Sequence, residues 1–439
     1  MDKFVIHGGT PLYGSVRLGG AKNASYKIMI ASLLGSKESR LLNFSHISDV
    51  ATTAEIIQSL GGKTNKCGER TMFIDPSSLN KFTIPYKFGP KSRSAPLFIP
   101  VLLHKFKQAK VPLPGGDKIG KRPLGWHWQG LEAMGASFSQ NDKFIKAHAD
   151  KLTGITYRFP KNTHTGTETL IMAAVLAKGI TILENAALEP EVDDLIEFLN
   201  NLGAQIRRRH HRVIEIKGVK NLHSTIHKIM PDRNEAVSYA CAAIATKGDI
   251  VVENANSDHL EAFLDKLNEI GGGYEVGKYG IRFFYQKPLR STDIITQPHP
   301  GFMTDWQPLW AVLLTQAKGI SIIHEAVFPS RFQYVQHLQQ MGTNIKYFHP
   351  KVDNPKKTYN FILSENSAKD NHAIKITGPT KLKGGNFSVH DLRAGATLVL
   401  SALVSSSKST ISNIEQIDRG YEDLDGRLRS MGAQIERLK

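Results

Sequence analysis

The 439-residue chain carries 56 Lys and Arg against 40 Asp and Glu, a formal charge of +16, with 41% hydrophobic and 22% charged residues. That length exceeds one ordinary core and suits two large domains, and the composition excludes a disordered or fibrous chain. Two cysteines, Cys67 and Cys241, exclude a disulfide framework and a Cys-x-x-Cys metal knuckle, and no apolar run reaches the roughly 18 residues of a spanning helix.

The opening residues, Met1-Asp2-Lys3-Phe4-Val5-Ile6-His7-Gly8, lack the charged-then-apolar pattern of a signal peptide, so a cytoplasmic protein with no membrane partner is expected. A pI near 9.6 favours anionic partners without choosing among nucleic acid, membrane surface and phosphorylated metabolites. The two basic runs, Arg207 to His211 and Lys351 to Lys357, read as solvated turns.

Along the chain an apolar-periodic helix ends six times in Leu, Met or Ile followed by Gly and a small residue. The glycines are Gly61, Gly135, Gly203, Gly271, Gly342 and Gly432. A shared order surrounds them. Leu170 to Ala177 reads as a helix, Gly179 to Ala186 as a strand and Val192 to Leu202 as a second helix; Ala236 to Ala245, Gly248 to Ala255 and Leu260 to Ile270 repeat it. Glycine supplies the left-handed cap, alternating Ile and Val make a half-buried strand, and the second helix lays its apolar stripe on that strand. The units are therefore α/β, about 70 residues each, and two closed groups of three fit the expected domain size. The longer spacing before Gly432 is assigned to a loop insertion around Phe348 to Lys357.

Chemistry-bearing motifs are sparse. His-Glu-x-x-His, Gly-x-Ser-x-Gly and Asp-rich calcium loops are all absent. Gly115-Gly116-Asp117-Lys118-Ile119-Gly120-Lys121-Arg122 has the Gly-x4-Gly-Lys spacing of a nucleotide phosphate loop. Arg122, however, stands where a magnesium-holding Ser or Thr would be, and Pro123 and Gly125 argue against a long helix directly after it. What remains is an anion clamp of Lys118, Lys121 and Arg122. Further cations fall where the first helix of a unit begins: Lys22, Arg93, Arg233 and Arg393. Converging helix starts offer free N–H groups and the positive end of the dipole, a setting for a multiply charged anion. Asp232 and Asp391, just ahead of two of those helices, read equally as helix caps.

With Gly20-Ala21-Lys22-Asn23-Ala24, Pro114-Gly115-Gly116, Gly120-Lys121-Arg122-Pro123 with His127, Glu184-Asn185-Ala186-Ala187, Pro231-Asp232-Arg233, Thr304-Asp305, Arg331-Phe332, Asp391-Leu392-Arg393 and Asp418-Arg419-Gly420-Tyr421, the chain resembles the UDP-N-acetylglucosamine 1-carboxyvinyltransferase family over essentially its whole length. The resemblance implies a two-domain inside-out α/β barrel of six βαβαββ-type repeats, three per domain. It implies an inserted domain, 22–229, bearing the Gly115-Gly116-Asp117 loop, and a second domain of 1–21 plus 230–439 bearing Asp305, with the active site in the cleft between them. Phosphoenolpyruvate and UDP-N-acetylglucosamine are the implied substrates. No cofactor, metal or nucleic acid is expected, and the protein is expected to be a monomer.

Carried over by motif, Lys22, Asp117, Asp305 and Arg393 are the expected catalytic residues. Asn23, Arg93, Arg122, Pro123, Leu124, His127, Thr165, Gly166, Val327, Arg331, Asp391 and Arg419 are the expected substrate contacts. Asp305 matches the carboxylate that takes the proton of the sugar 3-hydroxyl. The chain departs from the family at Asp117, where most members carry a cysteine that serves as proton donor and is alkylated by the epoxide fosfomycin. A carboxylate is the weaker nucleophile, so fosfomycin insensitivity and an acid-shifted rate profile are expected. Gly125-Trp126 and Thr163-His164-Thr165 also depart from the family's usual residues at the expected uridine pocket. A shikimate-3-phosphate acceptor fits less well, because Lys22 is followed by Asn23-Ala24 rather than Ser. A basic nucleic-acid-binding paralogue would use the net charge, yet no aromatic-rich basic strand supports it.

Overall fold

The computed structural model describes residues 2–91, 93–115, 124–363 and 371–439. The described chain divides into two compact units, residues 2–18 with 231–439, and residues 19–115 with 124–230. Among the described residues, no helix is long and apolar enough to cross a membrane.

One sheet pattern recurs through both units. An edge strand lies parallel to its neighbour, and two antiparallel strands follow. In the first unit, Tyr13–Arg17 runs parallel to Asp249–Glu253, which pairs antiparallel with Gly280–Phe284, and that strand with Gly273–Gly277. Ile294–Ile295, Gly319–His324, Ala373–Gly378 and Asn344–Phe348 repeat the order. In the third sheet, Asn386–Ser388 flanks Lys408–Ser412, and the antiparallel places are taken by Lys3–His7 and then Gln434–Leu438. The first strand of the chain thus completes the sheet built by its last segment.

The second unit follows the same plan. Ile226–Lys228, Ser39–Leu42, Thr71–Asp75 and Lys63–Cys67 form one sheet; Thr156–Arg158, Ile180–Glu184, Val213–Lys217 and Gln205–His210 form another. The remaining sheet has three strands, Gln108–Pro112, Phe144–His148 and Ser137–Gln140, with a lone parallel bridge from Thr83 to Lys110 in the place of the edge strand.

The first helix of each repeat lies inside. In the first unit Arg233–Ala245 is buried at every position, as are Gln307 to Thr315 and Leu392 to Leu403, and the three helices touch one another. A helix apolar around its whole circumference has no face for water and must sit within a core. The sheets form the outer layer, with the helices at the centre, which is the inside-out arrangement of six repeats, three to a unit. All six repeat glycines have positive φ, from 89° to 107°. A side chain there would be strained, so the helix–strand turn accounts for the motif that marks the repeats.

Two local expectations are corrected. Arg207 to His210 is not a turn but most of an edge strand, the turn itself being His211 and Arg212. Its side chains alternate, Ile206 inward and Arg207 and Arg209 outward, both arginines pairing with Glu215, while Arg208 Nε reaches Asp193 at 2.6 Å. An edge strand tolerates such charge and is protected by it. The segment from Phe348 to Lys357 is an insertion, but it includes a helical turn, Pro355–Thr358, capped by the Asn354 side chain. Its far side folds back, with Tyr359, Phe361 and His372 gathered around Ala326.

Candidate active site

In the second unit the helix Lys22–Ser32 starts at Lys22, whose Nζ lies 3.0 Å from Asp49 Oδ2 on the first turn of Ser48–Ser59. Asn23 follows, half-buried. The Tyr26 ring centroid is 5.7 Å from Lys22 Nζ and 5.6 Å from Lys27 Nζ, so two cations share one aromatic ring. Lys27 is fully buried and pairs with Glu168 at 2.6 Å. Burial raises the Glu168 carboxyl to about 7; Lys27 opposes the rise, and Glu191 and Glu189 add to it.

Arg93 acts on this group from outside the helix. It stands two residues ahead of the 3-10 turn Ala95–Phe98, which runs directly into the helix Ile99–Phe106. Its charge is felt by both Tyr26 and His127. Burial, and then Arg93, lower the His127 imidazole to about 3, so the ring is neutral at physiological pH. His127 lies on Gly125–Ala133, immediately after Leu124, and its Nε2 is 3.4 Å from the Thr165 hydroxyl. Thr165 belongs to the first turn of His164–Ala174, where the Thr163 side chain caps the helix by accepting from the Gly166 N–H at 3.1 Å. A Cβ on Gly166 would meet Thr163 Cγ2 at 2.5 Å and His127 Cδ2 at 3.1 Å, so only glycine lets the ring approach this helix start.

Within the first unit, Asp305 stands between two buried arginines. Arg331 Nη2 donates to its Oδ1 at 2.8 Å, while Nε and Nη2 of Arg393 reach Oδ2 at 3.3 and 3.2 Å. Each arginine side chain is 4% exposed. Arg393 Nη1 also donates to Tyr421 Oη at 2.9 Å, and that hydroxyl meets Ser238 Oγ at 2.8 Å. Burial works against the Arg393 charge, yet Tyr421, Asp305 and Asp232 around it hold it above the usual arginine range. Asp391 accepts from the N–H groups of Arg393 and Ala394, and Asp232 from those of Asn234 and Glu235, so both aspartates cap their helices. Arg233 Nη1 lies 3.2 Å from His299 Nδ1, and Arg419 Nη1 donates to Gln416 Oε1 at 3.4 Å.

Val327 and Arg331 share the segment after Gly319–His324. The buried Glu325 organises it: Oε1 accepts from the Val327 and Phe328 N–H groups at 2.8 and 2.9 Å and from Thr296 Oγ1 at 2.9 Å, and Oε2 from Thr304 Oγ1 at 2.8 Å.

Lys22, Asn23, Arg93, Leu124, His127, Thr165 and Gly166 therefore belong to the second unit, and Asp305, Val327, Arg331, Asp391, Arg393 and Arg419 to the first. Asp117, Arg122 and Pro123, with the rest of the segment 116–123, lie outside the described residues. Sequence reasoning missed Lys27, Glu168 and Glu325 as members of these clusters. A lysine and a glutamate inside otherwise apolar helical runs were the available signal for the first two. Among the described residues, no group of three His, Cys, Asp or Glu side chains is placed to hold a metal ion.

Two buried guanidiniums around one carboxylate, beside helix starts, form a setting for binding an anion and accepting a proton at adjacent atoms. Residues 6–428 match the EPSP synthase (3-phosphoshikimate 1-carboxyvinyltransferase) family. The chain is 39% identical over 439 residues to the UDP-N-acetylglucosamine 1-carboxyvinyltransferase 3 of Caldanaerobacter subterraneus subsp. tengcongensis, with 100% of both chains covered. It is 40% identical over 443 residues to the UDP-N-acetylglucosamine 1-carboxyvinyltransferase of Acidobacterium capsulatum, with 100% of this chain and 96% of that one covered. The fold is shared with the enolpyruvyl transferase NikO from Streptomyces tendae, at a TM-score of 0.85 and 24% identity over 100% of this chain and 99% of that one. EPSP synthase from Acinetobacter baumannii superposes with a TM-score of 0.73 at 17% identity, 100% of each chain being covered. The chain belongs to the UDP-N-acetylglucosamine 1-carboxyvinyltransferase family of enolpyruvyl-transferring enzymes.

Proposed function

We propose that the protein transfers the enolpyruvyl group of phosphoenolpyruvate to the 3-hydroxyl of UDP-N-acetylglucosamine, releasing phosphate, in the cytoplasmic pathway to peptidoglycan. The observation that carries this reading is the Asp305 carboxylate held by Arg331 and Arg393. Its support is the full-length likeness to proteins bearing that activity in their names.

In the first step the sugar O3 bonds to C2 of phosphoenolpyruvate, Asp305 takes the O3 proton, and C3 gains a proton to become a methyl group. In the second step the C2–O bond to phosphate breaks, and a methyl proton leaves to restore the double bond. Lys22, Arg93, Arg122, Arg331, Arg393 and Arg419 supply the positive charge for the carboxylate and the phosphates; paired guanidinium contacts fix orientation as well as charge. Leu124, His127, Thr165, Gly166 and Val327 contact the nucleotide sugar, and Asn23 positions the reacting fragment. Asp117 donates the proton to C3 in place of the cysteine usual in the family. Its carboxylate attacks the epoxide of fosfomycin poorly, so the enzyme is insensitive to that compound.

Phosphate release from phosphoenolpyruvate, with and without UDP-N-acetylglucosamine across pH 5 to 8, tests the proposal. Release that requires the sugar nucleotide and is lost in Lys22→Ala is expected. Release driven by shikimate-3-phosphate, or none with the sugar nucleotide at any pH, would overturn it.

A further inference from the structure

Asp305 is fixed from two directions, and only one is the pair of arginines. The residue before it, Thr304, donates its hydroxyl to Glu325 Oε2 at 2.8 Å. Glu325 is 1% exposed and lies at the end of the strand Gly319–His324. Its other oxygen gathers the start of the next segment by accepting from the Val327 and Phe328 N–H groups. Thr296 closes the arrangement: its hydroxyl accepts from the Ala326 N–H at 2.8 Å and donates to Glu325 Oε1 at 2.9 Å.

One carboxylate therefore ties together three stretches of backbone: the end of Ile294–Ile295, the turn bearing Asp305, and the loop bearing Val327 and Arg331. A buried carboxylate is costly unless its oxygens are satisfied, and here both are. Every donor it holds belongs to a segment carrying an expected reacting or binding residue, or to the strand end beside them.

We propose that Glu325 is a positioning residue for the transfer reaction, acting through Thr304 on the Asp305 carboxylate and through the Val327 and Phe328 amides on the sugar-contacting loop. This inference rests on the enolpyruvyl transfer proposed above. An error of about 1 Å in the placement of a reacting group can cost on the order of 10²-fold in rate, so a tether one residue from the base is well placed to matter.

Thr304→Val removes only the hydroxyl and leaves the loop contacts of Glu325 Oε1 intact. Its kcat is expected to fall by about 10- to 100-fold, with the KM for UDP-N-acetylglucosamine nearly unchanged. Thr304→Ser keeps the hydroxyl and is expected to retain most of the rate. Glu325→Leu is expected to lose kcat and also raise that KM, because the Val327 loop is released. Added to Glu325→Leu, the Thr304→Val change is expected to cost little more, since the bond it removes is already gone. Active-site titration with a tight-binding substrate analogue separates a slower enzyme from a smaller folded fraction. Wild-type kcat in Thr304→Val, independent losses that multiply in the double variant, or a loss explained wholly by fewer titratable sites would each overturn the inference. A wild-type protein that releases no phosphate with the sugar nucleotide would instead overturn the reading beneath it.

Discussion

Lys27 Nζ lies 2.6 Å from Glu168 Oε2, and neither side chain is exposed to water. Removing one member of such a pair strands the other charge in the core, which typically costs about 3–5 kcal/mol. Lys27→Met escapes part of that cost at low pH, because the carboxyl can remain protonated. The Glu168 carboxyl is raised to about 7 by burial against the opposing pull of Lys27, above its ordinary value of 4.5. A raised acid contributes stability that is complete below the unfolded pKa and is lost as pH rises through the folded one. Without Lys27 the folded value climbs further. Lys27→Met should therefore lose more stability than wild type between pH 6 and 8, as read by urea unfolding; parallel losses would show the pair to be uncoupled.

His127 has the opposite sign. Burial, then Arg93, depress its ring to about 3 from an ordinary 6.5. A depressed base contributes stability that is complete above 6.5 and is lost as pH falls toward the folded value. His127→Gln removes the titrating group, so the stability difference between wild type and variant should shift against wild type from pH 7 to 4. Thermal unfolding across that range checks it, and a pH-independent difference would place the ring in a more hydrated setting.

The repeats were legible because each carries a local requirement. A helix that must turn into a strand needs a left-handed residue, and six glycines with φ near 100° meet it. The cations at Arg233 and Arg393 were legible for a similar reason, since Asp232 and Asp391 cap the helices they open, whereas the helix that starts at Lys22 has no side-chain cap. Lys27 and Glu168 were not legible, being 141 residues apart and joined only by folding. Glu325 directly follows the strand Gly319–His324, and its role depends on donors at 296, 304, 327 and 328, which no periodic pattern brings together. Arg207 to Arg209 misled because a run of charge suits an exposed edge strand as well as a turn.

Asp117 carries the prediction with the simplest chemical readout. An aspartate has an ordinary pKa of about 3.9 and a cysteine about 8.5, and the thiolate is far the better nucleophile toward an epoxide. Wild type should show no time-dependent loss of activity with fosfomycin, whereas Asp117→Cys should be inactivated progressively, gaining the mass of one inhibitor on that residue. Because the donor must carry its proton, the basic limb of the rate profile should also lie at lower pH in wild type than in the cysteine variant. Inactivation of wild type with an adduct on Asp117 would defeat the prediction.

Asp305 and a bound anion would draw on the same two guanidiniums. The carboxylate holds Arg331 Nη2 at 2.8 Å and Arg393 Nη2 at 3.2 Å. A phosphate or carboxylate of the substrate arriving there meets a charge already partly neutralised. Asp305→Asn keeps the shape of the side chain and removes that negative charge, so inorganic phosphate should raise the melting temperature of the variant more than that of wild type. The same substitution removes the proposed proton acceptor, for which a loss of about 10²–10⁴-fold in kcat is expected. Tighter anion binding together with slower turnover is a combination that simple misfolding would not produce. Equal phosphate-induced shifts would mean that Arg331 and Arg393 serve to hold the carboxylate rather than to receive the anion, and the anion would then have to be sought among Lys22, Arg93 and the other cations of the second unit.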